Sequence, residues 1–332
     1  MPRLNNRQGT TDLSTVPWLH RLRFWFIGLL LLSGLVGAII HFGEIEHFTQ
    51  LVRQAAPEWL IVGLILQAAT YFSTAAVWHQ TLRYAGVKYP MLSLVPLGIA
   101  KLFSDQALPS AGMSGTAFFV AVLNRRGIST ELCMAALLVS LVTYYTAYLL
   151  ATLTSIILLW FYHAIHKWIV IVAIPFCIVA VAVPVAALWL RRWYKRSLPP
   201  VLMRIPGLTN LLNALGGAPD YLLHNNVLLI KTTLFQEAVF LLDSATLWAM
   251  LRAIGQDVSF LAVFPSFVVA SIVATLGPIP LGLGTFEATC VAMLKTLGIP
   301  FEAALTATLL LRGFTLWLPM LPGLWLARRE LH

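Results

Sequence analysis

The stretch Leu276-Gly277-Pro278-Ile279-Pro280-Leu281-Gly282-Leu283-Gly284-Thr285-Phe286-Glu287 lies between two apolar runs and limits the fold more than any other part of the chain. A continuous helix cannot pass through it: Pro278 and Pro280 remove backbone donors, and Gly277, Gly282 and Gly284 weaken what is left. In a bilayer, non-helical backbone survives only when it is buried in protein or lines a wet cavity. The apolar limbs on either side therefore predict a broken helical hairpin over 259–297. Glu287 falls where the helix resumes, one turn past Gly284. An acidic side chain near a helix N-terminus at membrane depth marks a functional-site candidate. The competing reading is a loop that joins two helices at the membrane surface.

Composition supports the membrane. The 332 residues are 59% hydrophobic and 11% charged, against about 25% charge in a soluble domain. The fold class is an all-α polytopic membrane protein in one transmembrane domain spanning 1–332. Six runs have the length of a spanning helix: 24–43, 59–78, 132–161, 168–190, 228–251 and 303–326. A second interrupted segment, 91–124, is cut by Ser104-Asp105-Gln106 and by Pro109-Ser110-Ala111-Gly112. Its limbs, about 15 residues each, are short for a full crossing. Residues 1–20 read as a disordered tail, and 191–226, rich in proline, glycine and basic residues, as a loop. The first apolar run lacks a small-residue cleavage site, so no cleavable signal peptide is expected.

The net charge of +9 does not imply nucleic acid, because the cations cluster at the ends of apolar runs. With six spans and two re-entrant hairpins, 16 of the 22 Lys and Arg fall on one side. Arg53, Lys167, Arg252 and Lys295 fall on the other, and Lys101 and Arg312 lie within the membrane. The positive-inside rule then places both termini and the loop 191–226 in the cytoplasm, in a bacterial inner membrane. Cys133, Cys177 and Cys290 lie in apolar sequence without paired spacing and read as small core hydrophobes.

The two interrupted segments resemble one another. At one common offset, Pro96 falls on Pro265, Pro109 on Pro278, Gly115-Thr116 on Gly284-Thr285 and Val122 on Val291. At a slightly larger offset, Gly127-Ile128 falls on Gly298-Ile299 and Glu131 on Glu302. Three spans separate the copies, so they enter from opposite faces. Opposed broken segments are the inverted-repeat plan of transporters, with the substrate near the midplane.

Polar residues at depth supply the candidate site. On 228–251, Thr232, Thr233, Gln236, Glu237, Asp243 and Ser244 share a stripe about 140° wide at 100° per residue. Glu237 and Asp243 either line a cavity or pair with Arg312, since neither can face lipid cheaply. Arg312, near mid-span, pairs with Glu237, Asp243 or Glu287, or meets an anion, or does both. Lys101 and Asp105, four apart, read as a self-satisfied pair. Lys231 snorkels from a helix end. His163 and His166 sit beside Trp160 and Trp168 at a boundary and read as interfacial. Ser140, Tyr144, Ala147, Ala151 and Ser155 form a small-and-polar face suited to close packing.

Pro278-x-Pro280-x-Gly282-x-Gly284-x-Phe286-Glu287 resembles the Pro-Gly-Gly-Leu-Gly-x-Phe-Glu signature of the lysylphosphatidylglycerol synthase transmembrane-domain family. That family includes the flippase portion of the bacterial multiple-peptide-resistance factor. Leu108-Pro109-Ser110-Ala111-Gly112-x2-Gly115 resembles its earlier Pro-x-Gly-Gly hairpin. Arg312-x4-Trp317-x-Pro319-x3-Gly323 resembles the arginine, aromatic, proline and glycine of its last helix. The first hairpin departs from it: many members carry Gly-Glu-x2-Arg where this chain has Gly112-Met113-Ser114-Gly115-Thr116. With no soluble synthase domain in the sequence, the lipid-aminoacylating reaction is not expected.

The resemblance implies lipid translocation, flippase- or scramblase-like, or a lipid-binding accessory role in envelope lipid biogenesis. The residues expected at a lipid head group are Arg312, Glu287, Lys101, Pro109, Gly112, Gly115, Pro278, Gly282, Gly284, Glu237 and Asp243. The expected partner is a membrane lipid, with a homo-oligomer or a lipid-biosynthetic enzyme as further partners. The rival classes are an intramembrane enzyme acting on a lipid or polyprenyl phosphate and a structural partner of a biosynthetic complex. No HExxH, GxSxG or P-loop pattern occurs, so no catalytic residue, metal or cofactor is assigned.

Overall fold

The computed structural model describes residues 53, 55–107, 113–162, 167–194, 217, 219–277, 279 and 282–331. The expected tail 1–20, the span 24–43, most of the loop 191–226, and Pro109, Gly112, His163, His166 and Pro278 lie outside the described residues. The helices are α1 (Pro57–Tyr84), α2 (Met91–Ala107), α3 (Met113–Arg125), α4 (Thr130–Phe161) and α5 (Lys167–Tyr194). After the short α6 (Asp220–Leu223) come α7 (Asn226–Ala253), α8 (Phe260–Leu276), α9 (Thr285–Thr296), α10 (Phe301–Arg312) and α11 (Leu318–Leu331). A π-helical turn, Gly313–Trp317, joins the last two into one interrupted rod.

Five helical runs among these are long and apolar enough to cross a membrane: α1, α4, α5, α7 and the α10–α11 rod. The chain is an all-α, multi-pass membrane protein. Its outer faces agree with that: on α5, Ile171, Ile174, Ile178, Val181 and Val185 are all more than half exposed. Their spacing makes one continuous apolar stripe, which an aqueous surface does not tolerate.

Local signals set the boundaries. Ser129, Asn225 and Ser259 cap α4, α7 and α8, each accepting a backbone N–H of the first turn on its side-chain oxygen. Two expectations are corrected. The α2 helix runs unbroken through Ser104-Asp105-Gln106 to Ala107. Ser104 donates to the Ala100 carbonyl at 2.9 Å, and Asp105 pairs with Lys101 at 2.7 Å, so both polar side chains are satisfied within the helix. The α5 helix also passes residue 190, through Arg191 and Arg192 to Tyr194.

The two halves repeat. The bounds of α1 and α2, 57–84 and 91–107, recur at a single offset as those of α7 and α8, 226–253 and 260–276. The 130–161 range of α4 recurs, at a slightly larger offset, in the α10–α11 rod, 301–331. The turns recur too: Gly86 and Gly255 close α1 and α7, and Gly127 and Gly298 follow α3 and α9, all with φ between 79° and 86°.

The repeat is inverted, because α1 and α7 pack antiparallel along their whole length. Ala56 N–H donates to the Ala253 carbonyl at one end. Thr70 Oγ1 donates to Asp243 Oδ1 at 3.2 Å in the middle, and Lys231 Nζ reaches Tyr84 Oη at 3.3 Å at the other end.

Each half closes a helix–break–helix hairpin, α2–α3 and α8–α9, with limbs of 12 to 17 residues. At 1.5 Å per residue the limbs are about 18–26 Å long, less than the ~30 Å of a hydrocarbon core. Each hairpin has its own core. Trp78, Leu94, Leu97, Phe119 and Leu123 surround the first. Phe264, Val268, Phe286, Cys290 and Leu294 surround the second, with the middle of α4 and α7 packed on them.

Candidate functional site

The second hairpin turns over between Leu276 and Thr285 with Gly282 at φ 62° and Gly284 at φ 83°. Both are left-handed, where a Cβ is disfavoured. A Cβ on Gly282 would also sit 2.5 Å from the Cβ of Ala274, so the glycine is what lets the tip lie against α8. As α9 restarts, its first backbone N–H groups need acceptors. Glu287 supplies one: its Oε2 accepts the Gly284 N–H at 2.6 Å.

The other carboxylate oxygen of Glu287 accepts from Arg312 Nε at 2.6 Å. Arg312 Nη2 donates to the Gly282 carbonyl at 3.3 Å, and the guanidinium lies over the Phe286 ring at 4.3 Å. Phe286 meets Phe267 of α8 edge-on at 5.7 Å. One arginine therefore ties α10 to the turn, to the α9 cap and to the aromatic contact between the limbs. The ion-pair side chains are 14% and 16% exposed. Breaking a pair that buried, by removing one partner, costs about 3–5 kcal/mol.

Immediately after Arg312 the rod changes to the π-helical turn, with Leu318 N–H bonded to the Gly313 carbonyl five residues back. Pro319 follows and can donate nothing to the Thr315 carbonyl. Such turns are frequent at functional sites. Here it lies beside a cavity of about 310 Å³ among α4, α7, α8, α9 and the rod, with Arg312 and Asp243 both in its wall. Tyr144, Tyr148, Ser271 and Thr275 add hydroxyls to that wall. Tyr148 Oη lies 3.2 Å from Thr275 Oγ1.

Of the residues singled out in the sequence, Glu287, Arg312, Gly282 and Gly284 meet at the tip of the second hairpin, and Asp243 joins Arg312 across the cavity. Among the three carboxylates open to Arg312, Glu287 is the one bonded to it. Glu237 does not line this cavity among the described residues, and its buried Oε2 has no hydrogen-bond partner among them. Lys101 pairs with Asp105, whose Oδ1 accepts the Gly115 N–H at 2.8 Å, so this trio closes the first hairpin on itself.

Sequence reasoning misses Tyr148, Phe267 and the pair Ser271 and Thr275, and it names Phe286 only as part of the motif, without a role. The available signal is Ser271 and Thr275, one turn apart on a largely apolar helix, just before the break. It also assigns Tyr144 to packing alone.

A family model described as "Lysylphosphatidylglycerol synthase TM region" matches residues 25–323. No curated protein matches the chain.

Proposed function

The chain belongs to the lysylphosphatidylglycerol synthase transmembrane family, and on that premise we propose that it moves an amphipathic membrane lipid between leaflets. The observation that carries the reading is the cavity at the second hairpin, whose lining holds both a cation and a carboxylate, Arg312 and Asp243, among apolar helices. An anionic or zwitterionic head group fits such a wall. Its phosphate would accept from Arg312, whose planar fork suits phosphate oxygens. A cationic head-group moiety would face Asp243.

In this reading the two hairpins are re-entrant and enter from opposite faces, as their short limbs and the antiparallel repeat support. The charge distribution favours both termini on the cytoplasmic side of a bacterial inner membrane. The sequence carries no P-loop motif, and in this reading movement is passive or ion-coupled.

The test is lipid scrambling by the purified protein in liposomes, read by chemical quenching of a fluorescent phospholipid in the outer leaflet. Quenching beyond the outer-leaflet half in proteoliposomes, and not in empty liposomes, supports the reading. Equal quenching in both contradicts it.

A further inference from the structure

At the end of the α1–α7 pair opposite Arg252, a lateral groove of about 750 Å³ opens between the end of α1 and the start of α7. Arg83, Tyr84 and Lys231 stand at its head, and Leu234, Phe235 and Ala238 line its length. Ala238 follows Lys231 by two helical turns, about 10 Å down the helix. Lys231 and Arg83 are exposed, and among the described residues neither meets a carboxylate. Lys231 rests over the Tyr84 ring at 5.6 Å. Leu234 is 64% exposed, and Ile230 beside it 61%, so the groove opens onto the apolar outer face.

The other end of the same helix pair holds the corresponding arginine differently. Arg252 occupies the position in α7 that Arg83 occupies in α1. It is paired with Asp257 at 2.6 Å and stacked on Trp248 at 5.4 Å. Trp248 meets Trp59 edge-on at 5.3 Å. In the first half the residue corresponding to Asp257 is Lys88, and that corresponding to Trp248 is His79, whose Nδ1 is bonded to the Tyr89 carbonyl. Counter-charge and aromatic cover are therefore both replaced at the Arg83 end, and a third cation stands nearby in sequence.

We propose that this groove binds an anionic phospholipid, with the phosphate between Arg83 and Lys231 and one acyl chain along Leu234, Phe235 and Ala238. Two cations without a lining acid select a head group of net negative charge over a zwitterionic one, whose own cation they would repel. The apolar length below them selects a lipid over free phosphate. The site is separate from the Arg312 cavity and stands whether or not that cavity carries lipid.

The test uses the purified full chain in detergent, given equal amounts of phosphatidylglycerol and phosphatidylcholine of matched chain length, with bound lipid counted by native mass spectrometry. Phosphatidylglycerol is expected to be retained about fivefold to thirtyfold over phosphatidylcholine, the scale of one to two basic contacts. The exposed pair substituted as R83Q/K231Q should lose that preference while keeping the wild-type melting temperature. A phosphatidylglycerol with a photoreactive acyl chain should label the 230–241 segment in the wild type and in the double variant R312Q/E287Q alike, which separates this groove from the cavity. Excess inorganic phosphate should not displace the label. A preference that survives in R83Q/K231Q, absence of label from the 230–241 segment, or displacement by phosphate would each overturn the proposal.

Discussion

The two hairpins follow one plan and close it in different ways. In the first, the carboxylate sits on the incoming limb: Asp105 of α2 reaches across to the Gly115 N–H, and its cation is Lys101, one turn earlier on the same helix. In the second, the residue corresponding to Asp105 is Ala274, which only makes room for Gly282. The carboxylate has moved to the outgoing limb, where Glu287 caps Gly284, and its cation comes from a different helix. The first pair is local and stabilises its own hairpin. The second ties the hairpin tip to the rod that carries the π-helical turn through the contacts of Arg312 with Glu287, Gly282 and Phe286. A pair of that kind can pass a change at a bound head group on to the packing of a neighbouring helix.

The difference can be broken, with the largest effect first. Gly282→Ala should be the most damaging glycine substitution among the described residues of the two hairpins. It adds a Cβ at positive φ and 2.5 Å from Ala274, whose Cα is only 3.3 Å away, so backbone must shift. The positive φ alone costs about 1–2 kcal/mol, and overpacking adds about 1–3 kcal/mol. Gly115→Ala has an equally close neighbour, the Asp105 carboxylate, but that is the end of a side chain and can give way. Thermal unfolding of the two variants in the same detergent should therefore rank Gly282→Ala well below Gly115→Ala. Equal losses would mean that the second turn is no more constrained than the first.

Next is charge. Arg312→Gln should cost about 3–5 kcal/mol by leaving Glu287 unpaired. Lys101→Gln should cost less, about 1–3 kcal/mol, since its pair lies within one helix, whereas Arg312 also holds the Gly282 carbonyl and the Phe286 ring. Chemical denaturation of the two variants compares them directly, and a Lys101 effect as large as that of Arg312 would erase the distinction drawn here. The smallest expected effect is at the shared axis. Thr70→Val removes the hydroxyl bonded to Asp243 and should cost about 1 kcal/mol. Because that bond joins the halves rather than either hairpin, the loss should be the same with Lys101 intact or replaced, which a double-variant cycle measures.

Much of this was legible in the sequence, and the limits have physical causes. Spans and hairpin limbs follow from long apolar runs cut by proline and glycine, and the repeat from Pro96 and Pro265 at one spacing. Lys101 and Asp105 are readable because a helix brings residues four apart together. Arg312 and Glu287 lie on different helices, far beyond helical spacing, and nothing local distinguishes Glu287 from Asp243 or Glu237 as the partner. Glu237 and Asp243 share a broad stripe but lie about 120° apart on it, so its two edges meet different neighbours. The polar run at 104–106 reads as a break because periodicity does not show that a side chain will be satisfied within its own helix. The groove at Arg83 is not legible, because Lys231 in isolation reads only as a lysine near a helix end.

The central claim is that Arg312 both holds the second hairpin and meets the lipid. Phospholipid scrambling and thermal stability should be measured on the same preparations of wild type, Arg312→Gln, Glu287→Gln and the double variant. Glutamine at 287 can still accept the Gly284 N–H, so the comparison isolates the charge. Each single variant should be destabilised, and the double variant should recover most of the lost stability because no unpaired charge remains. Scrambling should stay at the empty-liposome level in the stable double variant. Wild-type scrambling in that variant would contradict the claim and leave Arg312 a structural residue only.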